Sequence, residues 1–189
     1  MTVGVVKIMT KLTLTSLGLS LALVTTACSG SDAHAEAPQI DNGATSAVTI
    51  DERLAAPFSE FAMFDGSSAT FADYEGRPLV VNFWASWCPS CVAEMAAAFK
   101  PAQQSLGDEV AFLGLNIQDD RNDAIRLVEE TGVLFDLGDD RSGDLYLEFG
   151  GIGMPFTIFI DADGFIVEQH NGPLTDTQLL DMIEQAFAA

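Results

Sequence analysis

Two cysteines three residues apart, Cys88 and Cys91, followed after three more by Glu94, are the side chains of this sequence best suited to chemistry. A C-x-x-C pair can close a disulfide and reopen it, because a thiolate is both a nucleophile and a leaving group. Pro89, directly after Cys88, suits the first helical position, where a missing N–H costs nothing. Cys88 is therefore expected at a helix N-cap, with Cys91 one turn further in. Free N–H groups and the helix dipole at that end favour a thiolate, and cysteines so placed have pKa values of about 3.5 to 7.5. This makes Cys88 the expected attacking thiol and Cys91 the resolving one. A structural zinc site would need further ligands, and the chain has three cysteines and two histidines, His34 and His170, neither in ligand spacing.

The elements that must hold this pair are legible on either side of it. Leu79-Val80-Val81-Asn82-Phe83-Trp84 is a continuous apolar run, β-branched and aromatic and too short for a helix, so it predicts a buried strand. After Ala85-Ser86-Trp87 and the cysteines, Val92 to Phe99 has helix-forming composition. Strand, cysteine pair and helix follow in that order. Glu94 then lies on the same helix face as Cys91, one turn below its thiol. Partial burial would raise its pKa and let it take the proton of Cys91 when that thiol must attack; the alternative is an ordinary exposed helix glutamate.

The segment VVNFWASWCPSCVAE resembles the active-site region of the thioredoxin superfamily. More narrowly it is similar to the TlpA-like, ResA-like and CcmG-like thiol-disulfide oxidoreductases tethered to the outer face of the bacterial membrane. The resemblance runs from about Ala56 to the C-terminus. It implies a three-layer α/β sandwich of thioredoxin type, with a mixed central sheet and an added N-terminal β-hairpin. Phe61 to Phe64, a turn at Asp65-Gly66-Ser67-Ser68, and Ala69 to Phe71 read as that hairpin. Gly151-Ile152-Gly153-Met154-Pro155-Phe156-Thr157 looks like the superfamily's cis-proline loop, which would set Pro155 against the C-x-x-C and leave the Met154 backbone to pair with an extended substrate. Trp87, beside Cys88, would border the substrate surface. The family carries an acid where this chain has Glu94. Three departures stand out: Asn82 where thioredoxins carry a buried Asp, Ala96 in place of a Pro, and Phe156 where Thr is usual.

Charge is distributed unevenly along the 189 residues, since all 28 acidic side chains lie beyond Cys28. Lys7 and Lys11 form a basic start, with Met9 an alternative initiator, and Leu12 to Val24 is an apolar stretch, short for a membrane span and suited to a signal peptide. It ends at Ala27-Cys28-Ser29-Gly30, resembling a lipoprotein signal with Cys28 the lipidated residue; ordinary cleavage near Ala27 or Ala33, giving a secreted or periplasmic protein, is the alternative. The expected organisation is a signal peptide over 1–27, an acidic tether over 28–51 and a thioredoxin-like domain over 52–189. Cleavage at Cys28 leaves six basic and 28 acidic residues, a net charge of −22. That excludes nucleic acid and disfavours electrostatic binding to anionic lipid, so a covalent lipid would have to supply the anchor. Export would also place the cysteines where a disulfide persists.

Further along, Lys100-Pro101 is expected to interrupt the helix, and Val110–Ile117 to form a second core strand. Asn122–Gly132 reads as a helix, Asp139 to Asp144 as an acidic turn, Ile158–Ile160 and Phe165–His170 as paired strands, and the segment after Thr175 as a final helix with Leu179, Leu180, Ile183 and Phe187 inward. The resulting expectation is thiol-disulfide exchange with exported protein thiols and an upstream redox partner, with no dissociable cofactor. The resemblance favours a reductase, as in cytochrome c maturation. A disulfide-forming oxidant is the nearest rival, and a copper-binding thiol protein using Met154 or His170 a more distant one. A peroxidase would want a hydroxyl residue where Ala85 stands.

Overall fold

The computed structural model describes residues 53–188. Among these residues seven strands form one sheet in the order β2-β1-β5-β4-β3-β6-β7. Its centre is β3 (Leu79–Trp84), parallel to β4 (Ala111–Ile117) on one side and antiparallel to β6 (Phe156–Ile160) on the other. β5 (Asp136–Asp140) is parallel to β4, and β7 (Ile166–Asn171) closes the far edge against β6. The expected hairpin is present as β1 (Phe61–Met63) and β2 (Ser68–Ala69), with β1 running antiparallel to β5.

Every residue of β3 is buried, as a strand covered on both faces must be. Val80 and Trp84 pack into a core with Cys91, Met95, Phe99, Phe112, Leu127, Phe159, Leu179 and Ile183. The alternate residues Leu79, Val81 and Phe83 join Phe61, Phe71, Leu115, Phe149 and Ile158 on the other face. The first face is covered by α1 (Pro89–Glu94), α2 (Lys100–Leu106), α3 (Arg121–Thr131) and α5 (Asp176–Phe187), the second by a 3-10 turn (Phe71–Tyr74) and α4 (Asp144–Glu148). This is the mixed α/β, thioredoxin-like sandwich that was expected.

Four local expectations are corrected. The second hairpin strand stops at Ala69, because the Thr70 and Asp73 side chains form a capping box that turns Phe71–Tyr74 into a 3-10 helix. The helix is not broken at Lys100-Pro101. A π-helical turn over Met95–Phe99, in which the Lys100 N–H donates to the Met95 carbonyl, absorbs the donor Pro101 lacks and carries α1 into α2. Asp139 and Asp140 belong to β5, and the turn is confined to Arg141–Gly143. Leu180 is 39% exposed, so the inward stripe of α5 rests on Leu179 and Ile183. Cys28 and the expected signal peptide and tether fall outside the described residues.

Candidate active site

The β3–α1 junction builds the site as its sequence suggests. Cys88 is the N-cap of α1, Pro89 is the first helical residue, and Cys88 and Cys91 are joined by a disulfide with Cα atoms 5.3 Å apart. The Cys91 N–H donates to Cys88 Sγ at 3.3 Å, and Ser90 Oγ lies 3.5 Å from the same sulfur. Cys91 has no exposed surface, whereas Cys88 keeps 6%, which makes Cys88 the reachable sulfur.

The Met154–Pro155 peptide bond is cis. Met154 lines a cleft of about 460 Å³ together with Trp87, Cys88, Pro89, Ile117, Gln118, Tyr146 and Gly153. Trp87 stands 58% exposed at its rim, its Nε1–H donating to the Gln118 carbonyl at 3.1 Å. Tyr146 packs edge-on against Phe83 and Phe156, and its ring crosses the space a Cβ would occupy at Gly151, so the loop must have glycine there. Trp87, Cys88 and Met154 thus meet around one opening, while Pro155 and Phe156 are buried beneath it.

Glu94 is not an exposed helix glutamate. It is 4% exposed, directed into the core side of α1, and both carboxylate oxygens are engaged: Oε1 accepts the Leu174 N–H at 2.7 Å and Oε2 accepts Asn82 Nδ2–H at 3.2 Å. Burial pushes its pKa up to about 7, although the bonds from Leu174 and Asn82 partly oppose this. A second cleft, of about 340 Å³, reaches Glu94 between Ser90, Ala93 and Ala97 of the helix and the Pro173–Asp176 segment. His170 is half-buried in β7 and Trp84 fully buried, both structural positions.

Sequence reasoning missed the clamp on the turn before Cys88. Asp119, just beyond β4, accepts the Ser86 N–H at 2.6 Å and the Ser86 hydroxyl at 2.7 Å, while Asn116 Nδ2–H donates to it at 2.9 Å. Burial alone would raise the Asp119 carboxyl, but donors from Asn116, Ser86 and Asp120 outweigh it and hold the group below its usual range. Between these residues Gln118 takes φ +46°, a strained value for a residue with a side chain, which presents its carbonyl to Trp87. An acid directly after an apolar strand and beside an N-cap acid was the available signal.

Among proteins of known kind, a thiol:disulfide interchange protein DsbE of Yersinia pestis is 38% identical over 103 residues, 54% of this chain and 53% of that protein. The chain thus spans about half the length of that curated relative. A DsbE of Pseudomonas fluorescens biotype C is 32% identical over 137 residues, covering 70% of this chain and 75% of the relative. The solved structure of dsbF from MTB, in mixed oxidized and reduced forms, superposes with a TM-score of 0.63 at 25% identity, covering 68% of this chain and 95% of that one. The Redoxin family model matches residues 51–186. By that span and by the Pseudomonas likeness, this chain belongs to the redoxin family, among its DsbE-like members with a thioredoxin fold.

Proposed function

We propose that this protein is an extracytoplasmic thiol-disulfide oxidoreductase that works on exported protein thiols and disulfides, in the reducing direction, held to the membrane by a lipid on Cys28. The observation that carries the reading is the Cys88–Cys91 disulfide at the start of α1, open on the Cys88 side to the Met154 cleft and backed on the other by buried Glu94. The names of the relatives, as thiol:disulfide interchange proteins, support the same chemistry.

In the reducing direction the reduced protein's Cys88 thiolate attacks a substrate disulfide. One substrate sulfur leaves as a thiolate and a mixed disulfide forms. Cys91 then loses its proton and attacks Cys88 Sγ; the second substrate sulfur leaves, and the protein is left with the Cys88–Cys91 disulfide. Two electrons pass to the substrate, and an upstream reductant must return them. Glu94, one turn below Cys91, is the base for the second attack. With a pKa near neutrality it can accept that proton and pass it out through the second cleft. Met154 and Trp87 border the extended substrate chain.

Direction follows from which charges the reduced site tolerates. Full burial of Cys91 and the ionised form of Glu94 behind it disfavour a thiolate there, which makes the pair more reducing; the N-cap position of Cys88 pushes the other way. The test is a redox titration of the Cys88–Cys91 pair against dithiothreitol buffers, with an oxidised C-x-x-C-H peptide as substrate. A potential near about −270 mV with peptide reduction supports the reductase; one near about −120 mV makes the protein an oxidant. Failure to exchange at all removes the function.

A further inference from the structure

The face of the sheet beneath α1 carries buried polar atoms that the mechanism above leaves unused. Asn82 donates from Nδ2 to Glu94, but its Oδ1 is buried with no hydrogen-bond partner among the described residues. Thr157 Oγ1 is in the same condition. The two residues are directly paired across β3 and β6, so their side chains project from the same face, with Cβ atoms about 4.5 to 5.5 Å apart. Two such orphans side by side are unusual, since a buried polar atom left alone loses the hydrogen bonds it made to water.

We propose that Glu94, Asn82 and Thr157 form a hydrogen-bond chain that reverses direction when Glu94 gains or loses its proton, with Asn82 the positioning residue whose amide turns over. With Glu94 ionised, Asn82 Nδ2–H donates to Glu94 Oε2, as it does in the structure, and the Thr157 side chain, not yet bonded to Asn82 there, turns so that its hydroxyl donates to Asn82 Oδ1. With Glu94 protonated, a half-turn of the amide exchanges its oxygen and nitrogen: Glu94 Oε2–H donates to Asn82 Oδ1, and Nδ2–H donates to Thr157 Oγ1. A hydroxyl is donor and acceptor at once, and an amide offers one of each, so every partner is used in both states. Trp84 Nε1, the third unpartnered atom nearby and packed against Gly114, is a donor only and could serve a single orientation. An aspartate at position 82 would instead set two carboxyls against each other.

Among the described residues the groups facing Glu94 are few. They are Cys91 on its own helix, Asn82 from β3, the Leu174 N–H from the segment before α5, and Asp176, exposed at the start of α5 on the same cleft. His170 of β7 is in register with Thr157, one strand further out. The inference rests on the proposed function only in taking Glu94 as the group that exchanges a proton.

The test is nuclear magnetic resonance of the oxidised full chain, labelled to report the Asn82 side-chain amide and the Glu94 carboxyl carbon, over a pH titration. The amide signals are expected to move between two positions with the same midpoint as Glu94, and to stay fixed across pH in Glu94→Gln. Thr157→Val removes the acceptor that the turned amide needs. Because an orphaned N–H is the costlier loss, it should lower the Glu94 midpoint by about one pH unit, while Thr157→Ser retains the wild-type midpoint. An Asn82 amide that holds still while Glu94 titrates, or a Thr157→Val midpoint that does not move, overturns the proposal. A protein that shows the coupled titration yet fails to exchange thiols would keep this chain and refute the function.

Discussion

Replacing Glu94 with glutamine should change how the stability of the protein depends on pH, in a direction the structure dictates. In the folded chain, burial raises this carboxyl from the ordinary 4.5 to about 7. A folded pKa above the unfolded one means that the native state binds the proton more tightly, so stability falls as pH rises through that window. The difference of about 2.5 pH units, at about 1.36 kcal/mol each, gives roughly 3 kcal/mol as the greatest contribution of ionised Glu94 against folding. Glutamine keeps an oxygen for the Leu174 N–H and carries no charge. The two proteins should therefore be close in stability near about pH 4, and the variant should pull ahead by up to roughly 3 kcal/mol by about pH 8. Denaturant unfolding of both oxidised proteins across that range reads the difference directly, since all other groups titrate alike in the two. Parallel curves would refute the reasoning and place Glu94 in contact with water.

Four further outcomes are expected. Alkylation of the reduced protein should modify Cys88 first, with an apparent pKa below the free value of about 8.5, and Cys91→Ser should accumulate a mixed disulfide through Cys88; faster labelling of Cys91 would reverse the roles. Asp119→Ala removes the acceptor of the Ser86 turn and should cost about 1–3 kcal/mol and alter Trp87 fluorescence, whereas an unchanged spectrum would mean that the clamp does not hold the tryptophan. Gly151→Ala should expel Tyr146 from the Met154 cleft and raise the KM for a peptide substrate more than it lowers kcat; an unaltered KM would detach that ring from recognition. Wild-type protein should fractionate with membranes and Cys28→Ser should not, so release of both into the soluble fraction would remove the anchor.

The central part of the fold could be read from the chain because each local signal agreed with its surroundings. β3 is apolar throughout since it is covered on both faces, and Cys88-Pro89 is an N-cap by its own chemistry. β5 was hidden for the opposite reason. Its sequence, Asp-Leu-Gly-Asp-Asp, has the composition of a turn, and only tertiary partners make it a strand. Arg121 and Arg141 reach Asp139, the backbone of α4 donates two N–H groups to Asp140, and Gly138 leaves room for Leu115 and Phe61. At the site, the cysteines and Glu94 share one helix and so appear as spacing. Asn116, Gln118, Asp119 and Tyr146 arrive from other elements, and no interval along the chain encodes their approach.

One arginine ties the N-terminal hairpin to the rest of the molecule. Arg121, in the first turn of α3, donates to the Phe64 carbonyl at 2.8 Å and to Asp139 at 3.2 Å, and its guanidinium lies 3.6 Å from the centre of the Phe64 ring. That ring in turn leans on Trp84, at 6.3 Å between centroids. A two-stranded hairpin of this length would ordinarily open by itself, many times for each global unfolding event. Paired through β1 with β5 and held by a stacked cation that also bonds Asp139 of β5, it has no independent way to leave. The amides of Met63 and Phe64 should then exchange with deuterium as slowly as those of β3, and the hairpin and the sheet should be lost together as one cooperative unit.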